Sequence, residues 1–414
     1  MKKWIQVLLI AVIIVSQVGI PDVEASTKKF KDVGTKHWAH DIINEMVEKG
    51  VINGHPDGTF KPNDPVKVDE FIKMLIMSFS KKKANGTRDW DPEFLKKLNV
   101  FSQYTAVFGS PGFNFQVGSK YWASTFLEQA TNMGIIEKHD RWGGDFTKPL
   151  KRGALSYVTF NTITMLESRE DFNYANLAKP KIKDIYKAKN DDYYVLQIFI
   201  KGIMRGYSND TFGVDKTVTR AESLVVIKRI HDINQRDPYR PDISKLPYAE
   251  VPTNGEKKSK IVIFPTWEKK QNYDALLNSK SKSSGVVKQN ELKLIFYKDQ
   301  KTSDEDLRRS QSIDYMFEVS LEDLVMGFGN DALNYEIRVS TRENSLKPHI
   351  ESVNYFTKAL FKEDYVKLTN KLDGYIKGTK EGSFKGDDLI INNKKVIVRP
   401  SGHKEHVYIT IVDR

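Results

Sequence analysis

The sequence predicts a multidomain chain, with a mainly α-helical first half built from repeats and an α+β second half. Three observations predict it. A helix–loop–helix pattern returns at constant internal spacings up to about residue 236. A proline-rich stretch follows, and from about Lys260 the helical periodicity gives way to short alternating apolar runs. At 414 residues, two or more domains are expected in any case.

The first element is a leader. Met1-Lys2-Lys3 is a short basic start, Ile5 to Ile20 is mostly apolar, and Val23-Glu24-Ala25 puts small residues at the positions a signal peptidase reads. Gln6, Ser16, Gln17 and Gly19 interrupt a run already shorter than the roughly 20 apolar residues of a bilayer span. The expectation is a secretory signal peptide over residues 1–25, cut before Ser26, with no membrane span after cleavage. The chain has no cysteine, which excludes both disulfides and a lipid-modified cysteine. The closing "HVYITIVDR" reads as a strand without a sorting tail. Retention on the cell is therefore expected to be noncovalent.

The net charge is +11, and residues 26–236 hold 33 basic and 25 acidic side chains against 30 and 27 in residues 237–414. The excess lies in the first part, which makes it the partner of an anionic polymer. Export argues against nucleic acid as that polymer.

The repeat shows in paired spacings. Gly50-Val-Ile-Asn-Gly54 matches Gly202-Ile-Met-Arg-Gly206, and each is followed by a turn ending in Phe60 or Phe212. Asp32 and Asp184 precede these glycines by 18 residues, and Glu70 and Glu222 follow the phenylalanines by ten. A weaker middle copy places Trp122 12 residues before Gly134, as Trp38 stands before Gly50. Three units result, at about 29–82, 116–167 and 181–236. Thr219 and Glu222 form a capping box ahead of the apolar positions Leu224, Val225, Ile227 and Ile230. Arg220 then stands in a first helical turn, where the macrodipole disfavours a cation unless an anion sits nearby. A surface arginine paired with a neighbouring acid is the plain alternative.

These three units resemble S-layer homology repeats, which hold exported proteins on Gram-positive cell walls. "GIMRGYSNDTF…TRAE" matches the family's pattern closely, and the resemblance covers about half the chain. It implies a pseudo-threefold prism with the post-TRAE helices at its centre. It further implies grooves between repeats that bind a secondary cell wall polysaccharide, anionic and commonly pyruvylated. A helix N-terminus offers free N–H groups to such a carboxylate, and an arginine adds charge-assisted hydrogen bonds. Carried over by position, the implied polysaccharide-binding residues are Arg220, Glu222 and Gly206 in the third unit, Arg152 and Trp122 in the second, and Trp38, Gly54 and Lys67 in the first.

The match is uneven. Val68 holds the arginine's place in the first unit, where Lys67 offers only a point charge. Arg152 aligns only if two residues are deleted from the loop before it, and Lys138 replaces a glycine. Asn190 stands where the third unit's tryptophan would be, near Tyr193 and Tyr194. One or two working grooves are expected rather than three. Structural readings compete: Trp38 and Trp122 suit a core and a sugar platform equally, and Phe60, Phe146 and Phe212 read as loop anchors. Gly54 and Gly206 read as suppliers of a positive φ, and Asp57 and Asp210 as turn formers.

Residues 237–259, with four prolines, read as an extended linker. Beyond it "KIVIF", "ELKLIFY", "IDYMFEVSL", "YEIRVST", "DLIINN", "KKVIVRP" and "HVYITIV" read as strands, and "INNKKV" as a hairpin turn. "SVNYFTKALFKEDYVKLTNKLDGYI" reads as one amphipathic helix. This gives an α+β domain over 260–414 that resembles no family known to us. His403 and His406 lack the spacing of a zinc enzyme, Gly327 and Gly329 lack a P-loop lysine, and Ser401-Gly402 is no nucleophile elbow. No cofactor, metal or catalytic residue is expected. The leading function is a wall-anchored surface protein whose second half binds a partner or is structural. The alternative is an anchored wall hydrolase, of amidase or muramidase type, that reaches peptidoglycan through the repeats and carries an unrecognised catalytic C-terminal domain; the plentiful carboxylates leave a glycosidase pair open. A lattice subunit fits less well because the second half is small.

Overall fold

The computed structural model describes residues 30–84, 86–101, 121–137, 142, 144–253, 259–309, 317–321, 334–342 and 346–412. The expected signal peptide and Lys138 lie outside the described residues. The architecture is multidomain, with helices in the first half and antiparallel sheet in the second.

Each unit contributes a first helix, a loop and a second helix. The pairs are α1 His40–Glu48 and α2 Val68–Ser78, then α4 Ser124–Asn132 and α5 Arg152–Thr164, then α7 Asp192–Ile200 and α8 Arg220–His231. A short hairpin (β1 Ser80–Lys82, β2 Arg88–Trp90) and α3 Pro92–Phe101 follow the first pair, and α6 Phe172–Asn176 precedes the third. Every first helix stops at a glycine in the left-handed region: Gly50 at φ 66°, Gly134 at 70° and Gly202 at 69°. Gly54 and Gly206 were expected to supply that positive φ and do not. They serve close approach instead, since a Cβ on Gly54 would lie 2.1 Å from the Phe30 ring and one on Gly206 2.8 Å from the Thr211 carbonyl oxygen.

The units interlock in cyclic order. α2 packs on α4, α5 on α7, and α8 on α1. The loops entering the second helices close a ring of backbone bonds: Val66 N–H donates to Val218 O, Val218 N–H to Leu150 O, and Leu150 N–H to Val66 O, at 2.8–2.9 Å. The side chains of all three are buried. Buried donors and acceptors that might have been left unpaired are thus satisfied between units.

The ring also corrects the alignment of the second unit. Trp38 to Trp122, Gly50 to Gly134 and Val68 to Arg152 are each 84 residues apart, so no deletion is needed. Phe146 misled the comparison, because it is the counterpart of Pro62 and Val214, not of Phe60. Its carbonyl accepts from Asp69 N–H, as Pro62 O does from Ala221 N–H and Val214 O from Gly153 N–H.

Residues 237–253 and 259, expected to belong to a linker, are tied down. Tyr239 packs against Phe199 at 5.5 Å, and β3 Tyr248–Pro252 pairs antiparallel with β4 Ser259–Ile263. The end of β4 docks on the first half: Asp171 Oδ1 accepts from Ile263 N–H and Asn173 Nδ2 donates to Ile263 O, both at 3.1 Å.

The second half is a seven-stranded antiparallel sheet in the order β5-β6-β7-β8-β11-β10-β9. The strands are β5 Val286–Asn290, β6 Lys293–Tyr297, β7 Phe317–Leu321, β8 Tyr335–Ser340, β9 Asp387–Ile391, β10 Lys394–Pro400 and β11 His406–Val412. Alternate residues such as Val396, Val398, Val407, Ile409 and Ile411 face the core. The expected hairpin is present, with Asn392 and Asn393 both at positive φ between β9 and β10. α9 Trp267–Ser279 and α10 Gln300–Arg309 are additional helices. The single long helix expected here is broken into α11 Ile350–Phe361, α12 Val366–Thr369 and α13 Leu372–Glu381. The break comes at Lys362, whose φ of 53° cannot continue a right-handed helix. Among the described residues no helix is long and apolar enough to cross a membrane.

Candidate functional site

The N-termini of the second helices are where the sequence placed most of the site. At α8 the capping box is complete: Thr219 Oγ1 accepts from Glu222 N–H at 3.2 Å, and Glu222 Oε2 accepts from Thr219 N–H at 2.9 Å. The Glu222 carboxylate is thereby committed to its own helix.

Arg220 leaves the capped turn and crosses to the first unit. Its Nε donates to Phe60 O at 3.1 Å, its Nη2 reaches Asn53 O at 3.4 Å, and its guanidinium lies 5.0 Å from the Phe60 ring centre. It is only 8% exposed. Arg152 repeats the arrangement against the third unit. Its Nε donates to Phe212 O at 2.8 Å, its Nη2 to Arg205 O at 2.5 Å, and its guanidinium lies over Phe212 and Tyr207. It too is 8% exposed. Both arginines therefore spend their donors on backbone carbonyls of the neighbouring unit, and neither is a surface cation paired with an acid. Their desolvated charge is offset by these bonds and by the aromatic faces.

The loops they grip are themselves braced. The Asp32 carboxylate accepts from the N–H groups of Phe60 and Lys61, and that of Asp184 from Phe212, Gly213 and Val214. Burial alone would raise both carboxyls, but the backbone donors prevail and hold each below its ordinary value of 3.8. Phe60 and Phe212 are fully buried loop anchors. Asp57 accepts from Thr59 N–H, and Asp210 takes a positive φ, so both shape turns.

The first unit differs at its second helix. Val68 N–H donates to Lys148 O, but no guanidinium follows it. Asp69 is buried instead and accepts from the Tyr121 hydroxyl at 2.5 Å. Burial and the Asp69 carboxylate push the Tyr121 hydroxyl well above its ordinary range. Lys67 is exposed, and its backbone N–H donates to Glu70 Oε2 at 3.1 Å.

Trp38 and Trp122 resolve toward the surface, at 62% and 52% exposure. Sequence reasoning missed Lys73, whose ammonium lies 5.6 Å from the Trp122 ring centre and 6.0 Å from that of Phe126. A lone cation inside the apolar run "FIKMLIM" was the available signal. In the second half, His403 lies in the loop between β10 and β11 and His406 opens β11; Ser401 Oγ accepts from the N–H groups of Glu405 and His406 there. Among the described residues no three metal-binding side chains come together.

The comparisons agree with the first half. The S-layer homology domain family matches residues 29–72 and 181–222. The chain is 47% identical over 47 residues to an S-layer protein of Bacillus licheniformis, covering 11% of this chain and 5% of that one. It is 24% identical over 269 residues to an S-layer protein of Bacillus thuringiensis subsp. finitimus, covering 65% and 28%. It is 27% identical over 112 residues to a cellulosome-anchoring protein of Acetivibrio thermocellus, covering 27% and 21%. The chain thus spans less than a third of the length of each of these relatives. The first and third units of this chain thus each match the S-layer homology domain.

Proposed function

We propose that this protein is exported and held noncovalently at the cell surface. Its three units close into a pseudo-threefold prism that binds an anionic, pyruvylated secondary cell wall polysaccharide, and residues 260–414 form a binding or structural domain carried on that anchor. The observation that carries the reading is the ring of backbone bonds through Val66, Leu150 and Val218, which joins the three units into one body. Trp38 and Trp122 stand exposed at the start of first helices, where an indole face can take a sugar ring. Arg152 and Arg220 act one step back, by fixing the loops that wall the clefts. Gly54 and Gly206 belong to those loops, and Lys67 and Glu222 to the adjoining helix starts.

The test is sedimentation of the mature protein with purified walls. It should pellet with intact walls and stay in solution once the polysaccharide has been extracted. Equal pelleting with stripped peptidoglycan would overturn the polysaccharide assignment in favour of peptidoglycan.

A further inference from the structure

We propose that the three clefts are chemically unequal and that only the cleft between the first and second units takes an acidic sugar, its carboxylate held by Lys73 and its ring by Trp122. This rests on the polysaccharide reading above and specifies which site performs it.

The constant offsets between units make the comparison exact in position. Lys73 on α2 corresponds to Tyr157 on α5 and Val225 on α8. Across each cleft, Trp122 and Phe126 on the second unit correspond to Asn190 and Tyr194 on the third and to Trp38 and Ile42 on the first. The same packing of a second helix on the next unit's first helix thus presents three different surfaces.

Between the first and second units, the Lys73 ammonium sits over two aromatic rings and makes no ion pair among the described residues. An ammonium beside a half-exposed indole pairs a charge with a flat apolar platform, the combination that a pyranose bearing a carboxylate requires.

Between the second and third units, the chain fills its own cleft. Tyr157 meets Tyr194 edge-on at 5.2 Å, and Phe160 meets both Tyr193 and Tyr194 at 5.2 Å. Tyr157 and Phe160 are buried, and the indole position is Asn190. No platform is left for a sugar there.

Between the third and first units, Trp38 is exposed, but Val225 and Ile42 replace the cation and the second ring. Lys228 and Lys49 on this side are both already paired with Glu45. This cleft suits a neutral sugar.

The experiment is calorimetric titration of the mature protein with wall polysaccharide fragments, used with the pyruvyl ketal intact and after its removal by mild acid. Intact fragments should bind the parent protein at one site with high affinity. Lys73→Gln should weaken that binding about tenfold or more, Lys73→Arg should recover most of it, and Trp122→Ala should abolish it. Tyr157→Phe should leave the high-affinity site unchanged. Depyruvylated fragments should bind the parent and Lys73→Gln equally weakly. Thermal melts of each variant separate lost binding from lost fold. Unchanged binding by Lys73→Gln, or two or three equal sites in the parent, overturns the inequality while leaving the anchoring reading intact. Absence of any binding by the parent overturns the anchoring reading itself.

Discussion

Replacing Arg220 by alanine should cost stability first, and binding only as a consequence. The side chain's contacts set the size of the effect. One charge-assisted hydrogen bond to Phe60 O, at 3.1 Å, contributes about 1.5–3 kcal/mol. The contact with Asn53 O is long at 3.4 Å and adds little. The guanidinium over Phe60 adds about 0.5–2 kcal/mol in a desolvated setting. Release of a buried cation to nothing recovers part of this, while the Phe60 carbonyl loses its partner. The net loss is about 2–3 kcal/mol. For a folded unit of about 200 residues, this lowers the melting temperature by roughly 4–12 °C. Scanning calorimetry of the protein, which resolves separate transitions, should show the shift confined to one of them. Arg220→Lys should recover little, because an ammonium cannot lay a flat face on the Phe60 ring while donating to its carbonyl. Arg152→Ala should be the more damaging change, since its two bonds are shorter and it lies over two rings. A normal melt for Arg220→Ala with polysaccharide binding abolished would refute the reasoning and return this arginine to the ligand.

Three further outcomes follow from other contacts. Gly202→Ala should be far worse than Gly134→Ala: both require a positive φ, costing about 1 kcal/mol, but only at Gly202 would the new Cβ lie 2.1 Å from backbone, at Asp237; equal melts would refute this. His349 is fully buried, and burial lowers its pKa from 6.5 to about 4, so the unfolded chain binds the extra proton. Its folded form should therefore lose up to about 3 kcal/mol as pH falls from 6.5 to 4, a loss absent in His349→Gln if that variant folds, read from denaturant midpoints across pH. Asp184, held below its ordinary value by three backbone donors, contributes stability that is present above pH 3.8 and lost as pH falls through its lowered folded value; Asp184→Asn should flatten the acid limb of the first-half transition.

The repeats were legible because interval is a robust signal. Gly50, Gly134 and Gly202 keep their distances to the helices that follow, since each ends a first helix in the left-handed region. The error in the second unit came from matching like residues, Phe146 with Phe60, where position carried the information. The fate of Arg220 was hidden for a different reason. A buried arginine on carbonyls and an exposed arginine on a ligand satisfy the same helix-terminus rule, and only the neighbouring unit's loop decides between them. In the second half, β10 and β11 alternate cleanly and were read correctly, whereas α9 buries few apolar residues, chiefly Tyr273 and Leu276, and shows almost no stripe. The break at Lys362 was invisible because lysine carries no punctuation of its own.

The clamp of Asp171 and Asn173 on Ile263 decides how the protein carries tension. A free stretch the length of residues 237–259 could pay out roughly 80 Å when pulled. Here Ile263 is gripped through both its N–H and its C=O, next to a paired hairpin, so a pull on the second half reaches the first half through hydrogen bonds and not through slack. With the first half held to a wall as proposed above, a load on the sheet would be passed to it across this clamp instead of being absorbed by a loose tether.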